Sequence, residues 1–195
     1  MNIVTKHASE DMPRRAFTVA DLRRMIDGGV LAEDERVELV EGDLIVMASK
    51  GYAHEIVRKE LLRGIMRAVP DDVDVASEMT IEFADGILLE PDIVVMSRRQ
   101  LLPSQAGFVR LSGADCALVV EIAASSLGYD QGIKARLYAQ LGVRELWVVD
   151  PRERRTWIHT GPRGEGWSSI VEHGPDSALT TPAVPDFSIR LRDIQ

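Results

Sequence analysis

At 195 residues and a formal net charge of -8, the chain has the length for one domain with a substantial core. Its single cysteine, Cys116, excludes an intrachain disulfide and a cysteine-rich zinc site. The acidic balance argues against a surface built throughout to hold nucleic acid, while leaving room for a local basic groove.

No segment reaches the apolar length of a membrane span, and residues 1–13 carry Lys6, His7, Glu10 and Asp11 where a signal peptide needs an apolar run. The reading is a soluble, cytoplasmic protein with no membrane partner. Residues 1–17 read as a flexible N-terminal segment, the first dozen being polar and aperiodic, and residues 18–195 as a single domain. Thr18 caps a helix running through Asp27, with Asp21 at the capping-box position and Gly28-Gly29 ending it. Residues 36–40 and 44–48 form two apolar runs around Glu41-Gly42-Asp43, a hairpin signal with a poorer turn than Asn-Gly or Asp-Gly.

Over residues 53–69 apolar side chains recur at helical spacing, and Pro70 stops the helix. Lys59, Arg63 and Arg67 fall at four-residue intervals and form a basic stripe on its other side. Further basic clusters occur at Arg14-Arg15, Arg23-Arg24, Arg98-Arg99 and residues 152–155; each pair alone reads as a solvated face. Strands are expected at residues 73–76, 79–83 and 87–96, with Asp85-Gly86 as the turn between the last two. Residues 97–115 read as an irregular insertion. A strand over residues 117–123 and a helix over 129–141 ended by Gly142 come next, followed by a strand at 145–149. The remainder holds short strands at 156–160, 167–172 and 187–191. The order suggests α/β (α+β) with a mixed sheet.

Glu121 interrupts Ala117-Leu118-Val119-Val120-Glu121-Ile122-Ala123, a run that otherwise reads as a strand buried on both faces. A carboxylate there must protonate, or find a cation, a metal or hydrogen-bond donors. Asp92 opens a second apolar run, Ile93-Val94-Val95-Met96, directly after Glu90-Pro91. Pro91 cannot donate to a sheet ladder, so Asp92 belongs near the mouth of a sheet, either as a turn residue or as a second acid converging on the first. On the helix after Glu121, Asp130, Lys134 and Tyr138 lie at four-residue steps and share a face. Lys134 either neutralises Glu121 or, beside a metal, acts on a water or phosphate. Taken alone, Asp130 and Lys134 read as an exposed ion pair worth a few tenths of a kcal/mol. His54 is either a proton shuttle or phosphate contact, or a helix-end histidine satisfied locally. His7, His159 and His173 are too scattered for a metal cluster.

The order of these pieces resembles the PD-(D/E)XK nuclease superfamily and, within it, the Uma-two family of restriction endonucleases. The resemblance runs through Arg36-Val37-Glu38-Leu39-Val40-Glu41-Gly42-Asp43-Leu44, His54, and Glu90-Pro91-Asp92-Ile93-Val94-Val95. It continues with Val119-Val120-Glu121-Ile122-Ala123, Tyr129-Asp130, Lys134, Tyr138 and Gly142-Val143-Arg144-Glu145-Leu146-Trp147-Val148-Val149-Asp150. It covers about residues 18–160. It implies a restriction-endonuclease-like core, a mixed central β-sheet flanked by helices, and a metal-dependent phosphodiesterase site. Asp92, Glu121 and the backbone carbonyl of Ile122 are then ligands for Mg²⁺, with Mn²⁺ as a substitute, and Glu38 is an additional acid. Lys134 is the catalytic lysine, and His54, Lys59, Arg63 and Arg67 are weaker candidates for nucleic-acid contact. The implied partner is nucleic acid, DNA in first place, and cutting a duplex favours a homodimer with two-fold symmetry. The superfamily pattern has Lys two residues after the acid, where this chain has Ala123; similar members carry it on the following helix, at the place of Lys134. The competing class is a non-catalytic nucleic-acid- or protein-binding module with a degenerate nuclease fold, favoured by the acidic balance and by Ala123.

Overall fold

The computed structural model describes residues 5–7, 13–98 and 101–195. Of the first dozen residues, expected to fray, 1–4 and 8–12 lie outside the described residues, as does Arg99 of the Arg98-Arg99 pair, whereas residues 5–7 form a strand paired with residues 13–15. The elements begin with β1 (Thr5–His7), β2 (Pro13–Arg15), α1 (Val19–Asp27), β3 (Val37–Val40), β4 (Asp43–Val46), α2 (Tyr52–Ala68) and β5 (Val73–Ser77). They continue with β6 (Ile81–Ala84), β7 (Ile87–Leu89), β8 (Ile93–Ser97), β9 (Leu102–Pro103), β10 (Val109–Arg110) and β11 (Cys116–Ile122). After β11 come α3 (Leu127–Tyr129), a π-helical turn (Asp130–Lys134), α4 (Ala135–Leu141) and β12 (Glu145–Asp150). The chain closes with β13 (Arg155–Arg163), β14 (Gly166–His173), β15 (Leu179–Thr181) and β16 (Val184–Ile189). Two compact units result, each with its own six-stranded mixed sheet.

The first unit comprises the described residues of Met1–Ala48, Thr80–Glu90 and Leu101–Leu111. Its sheet has the order β4-β3-β7-β6-β10-β9, in which β10 runs parallel to β6 and the other pairs are antiparallel. Helix α1 starts where the sequence places it: Thr18 Oγ1 accepts the Asp21 N–H at 3.1 Å and Asp21 accepts the Thr18 N–H at 3.0 Å. Those Thr18 bonds hold the Asp21 carboxyl at about 2, below its usual 3.8. The β3–β4 turn has Glu41 at φ 49 and Gly42 at φ 85, both left-handed, which suits the twist of a hairpin. Gly42 is needed for space as well, because a Cβ there would lie 2.6 Å from that of Ala16. Val19, Leu22, Leu39 and Leu88 form this unit's core.

The second unit comprises the described residues of Ser49–Met79, Pro91–Gln100 and Ser112–Gln195. Its sheet order is β14-β13-β12-β11-β8-β5, antiparallel except for β11 and β12. A parallel pair needs a crossover, and residues 127–141 supply a helical one. Helix α2 lays Val57, Leu61 and Ile65 into a core with Ile93, Val95, Leu118, Val120, Ile122, Trp147 and Val149. These are alternate residues of β8, β11 and β12, so the remaining positions, Glu121 among them, face the other side of the sheet.

The α/β (α+β) class is as the sequence suggests, with two mixed sheets where one central sheet was expected. The expected strand over residues 87–96 is two strands: β7 joins the first unit's sheet and β8 the second's, with Glu90-Pro91-Asp92 between them. Pro91 lacks the N–H that a continuous ladder requires. The helix expected at residues 129–141 begins at Leu127 and widens into the π turn before α4, ending at Gly142 in the left-handed conformation (φ 80). Among the described residues no helix is long and apolar enough to cross a membrane.

Candidate functional site

In the second unit Glu121 lies one residue from the end of β11, between antiparallel β8 and parallel β12. Only 4% of it is exposed, so its charge is met by protein groups. Lys134 Nζ sits 2.9 Å from Oε1, and the Tyr138 hydroxyl donates to the same oxygen at 2.6 Å. Both donors come from the crossover helix and both are buried. A charged donor and a short phenolic bond are the kind of partners that make a buried carboxylate tolerable. Asp130 closes the group at 4.0 Å from Lys134 Nζ, and accepts from Ser126 Oγ at 2.5 Å. The π turn carries Asp130 and Lys134, and such turns recur at functional sites.

Asp92 immediately precedes β8, whose Ile93 pairs with Val120, so it stands beside the same end of β11. Its Oδ2 accepts the Ile122 N–H at 2.7 Å, Lys50 Nζ lies 2.8 Å from Oδ1, and His54 Nε2 is 3.1 Å from the carboxylate. Burial alone would raise this carboxyl, but His54 and Lys50 together outweigh it and hold it at about 2. The Lys50 ammonium is likewise pushed above its usual range: burial works against it, and Asp92 and Glu78 overcome burial. Around them Lys50 Nζ also meets Glu78 Oε1 at 2.6 Å, and Ser77 Oγ donates to the Asp92 carbonyl at 2.8 Å. Arg58 bonds Ser77 at 2.9 Å, Glu55 at 2.5 Å and Glu78 at 3.2 Å.

This network predicts acid sensitivity. Asp92 is depressed from 3.8 to about 2, so its contribution is present above pH 4 and is lost as pH falls through about 2. Urea melts between pH 6 and pH 2 are expected to lose about 2 kcal/mol through this group. In Asp92→Asn that loss disappears from the pH profile; an unchanged profile would refute the ion-paired carboxylate.

The remaining candidates are distributed as follows. His54 is buried on the first turns of α2, with Nδ1 3.2 Å from Glu55 Oε1 and Nε2 on Asp92. Lys59, Arg63 and Arg67 are exposed on α2, lining an open groove with Arg58, Leu62 and Met66; Lys59 lies 3.8 Å from Glu60, and Arg63 pairs with the same Glu60. Ile122, whose carbonyl the resemblance names as a ligand, is the last residue of β11. Glu38 belongs to the first unit, buried on β3, where it accepts the Glu90 N–H at 3.0 Å. Sequence reasoning missed Lys50 and Glu78. Their four-residue offset from His54 in one case, and their distant chain positions in both, gave no pattern by which to join them to Asp92.

Asp92 and Glu121 offer the oxygen donors that a hard divalent cation prefers. Among the described residues no three His, Cys, Asp or Glu side chains gather into a metal-holding group. Two carboxylates are a donor set of the kind taken by a divalent ion that keeps several waters, and are too few for a cage made wholly of side chains.

A crystal structure described as "a putative nuclease belonging to DUF820 from Anabaena variabilis" aligns with a TM-score of 0.71, covering 91% of this chain and 96% of that one. At 17% sequence identity that likeness establishes a shared fold. The sequence profile of the Uma2 family, described as "Putative restriction endonuclease", matches residues 19–192, and the chain belongs to that family. No curated protein matches it.

Proposed function

We propose that this protein is a Mg²⁺-dependent nuclease of the PD-(D/E)XK kind, accepting Mn²⁺ and hydrolysing phosphodiester bonds in DNA, in the cytoplasm and as a homodimer. The observation that carries the reading is the meeting of Lys134 and Tyr138 on the buried Glu121, beside a strand headed by Asp92. Asp92 and Glu121 hold the cation in this reading, with the Ile122 carbonyl. The bound ion supplies polarisation of the scissile phosphate and a lowered pKa for attacking water. Lys134 would orient or deprotonate that water, or stabilise the charge that develops on the phosphate. Tyr138 fixes the Glu121 carboxylate so that Lys134 need not do so alone.

The second reading, a non-catalytic module with the same fold, draws support from the ammonium partners that both acids already have. Titrating Mn²⁺ into the protein by calorimetry separates the two. A binding heat that is lost in Asp92→Asn is expected, and its absence from the unaltered protein favours the module.

The exposed stripe on α2 is proposed to contact the phosphate backbone. Reversing Lys59, Arg63 and Arg67 to Glu is expected to lower the slope of log affinity against log salt by about 2 to 3. Fluorescence anisotropy with a DNA duplex across a salt series measures this, and an unchanged slope removes α2 from the interface.

A further inference from the structure

Lys50 raises a question of charge that the nuclease reading leaves open. Its Nζ lies 2.8 Å from Asp92 Oδ1, while Glu121 carries Lys134 at 2.9 Å. A divalent cation drawn to these two carboxylates meets an ammonium already on each. Like charges at such range repel strongly where water is scarce, so one lysine has to yield.

Lys50 has a second anion already in full contact, Glu78 Oε1 at 2.6 Å. Lys50 can therefore release Asp92 without losing its ion pair. Glu78 is also well anchored: Arg58 Nη1 lies 3.2 Å from its Oε2, and its N–H bonds to the Pro91 and Asp92 carbonyls at 3.2 and 3.3 Å. Its backbone is held at φ 54, a conformation that a glutamate adopts only when its surroundings enforce it. Asp92 is prepared in a matching way, with Oδ2 tied to the Ile122 N–H and Oδ1 turned to Lys50.

We propose that Lys50 is a displaceable counter-ion: it neutralises and orients Asp92 before a divalent cation binds, and passes to Glu78 when the cation takes Oδ1. This rests on the metal-dependent reading above. It gives the acid a partner in both states, so a buried carboxylate is never left unpaired. It also sets a limit on metal affinity, since binding has to break an existing contact.

The test is a calorimetric titration of Mn²⁺ into the intact protein, Lys50→Met, Glu78→Gln and the double variant, each checked by thermal melting. Lys50→Met, which keeps an unbranched side chain one atom shorter and removes its charge, is expected to tighten Mn²⁺ binding by about tenfold. Glu78→Gln is expected to weaken it severalfold, because Lys50 then has Asp92 as its remaining carboxylate, and this weakening should shrink once Lys50 is also gone. Wild-type or weaker affinity in Lys50→Met overturns the proposal, as does a Glu78→Gln effect equally large without Lys50. Should Lys50→Met fail to fold, Lys50→Gln carries the same comparison. Absence of any Asp92-dependent heat overturns the metal reading together with this one, whereas binding that ignores Lys50 overturns this one alone.

Discussion

Asp92→Asn and Glu121→Gln are each expected to lower Mg²⁺-dependent DNA cleavage by about 10³-fold, the scale of losing one charge-stabilising group from a preorganised site. The amides are chosen because alanine would confound the result. Removing the Asp92 carboxylate altogether leaves Lys50, His54 and the Ile122 N–H facing a void. Stripping one partner from a buried charged group costs about 3–5 kcal/mol, enough to unfold many domains. An asparagine oxygen can still accept the Ile122 N–H, and a glutamine oxygen can still accept from Lys134 or Tyr138. The activity loss is therefore read against a melting curve that remains cooperative. Cleavage at the original rate in either folded variant ends the assignment of that acid.

What the sequence disclosed and what it hid follow a physical division. Local rules worked: Thr18 with Asp21 announced a capped helix, and Gly142 announced its counterpart at φ 80. Glu121 was conspicuous because one charge among Leu118, Val119, Val120 and Ile122 has no inexpensive explanation. Lys134 and Tyr138 were legible through four-residue spacing, and the π turn leaves both on Glu121. Long-range pairing was not legible. Lys50 reaches Asp92 and Glu78 across 42 and 28 positions, and no periodicity encodes such contacts. The break at Pro91 was legible only in part: Pro91 marked Asp92 as a strand's start, while the apolar residues at 87–89 and 93–96 still read as a single strand. Strand β14 was legible, expected over residues 167–172 and found at Gly166–His173.

Lys134 carries the other large effect, because it decides whether the lysine absent at Ala123 has truly been relocated. Lys134→Ala is expected to reduce cleavage by about 10²- to 10⁴-fold, the range for a positioned proton-handling side chain. The informative step is to add Ala123→Lys to that variant. Ala123 stands two residues beyond Glu121, and its N–H still bonds the Val149 carbonyl at 2.8 Å, so extended geometry directs both side chains to one face. Ala123 is 1% exposed, which means that a lysine there needs the space and the counter-charge vacated by Lys134. On its own Ala123→Lys should destabilise the fold, since it adds a second ammonium to a single buried acid. In the Lys134→Ala background the same residue inherits Glu121 as its partner. Recovery of about a tenth of the lost activity would show that the chemistry needs an ammonium at this acid, from whichever element delivers it. A double variant that folds, binds Mn²⁺ and remains inactive would tie catalysis to the helix position, and full activity in Lys134→Ala would strip Lys134 of any role in the reaction.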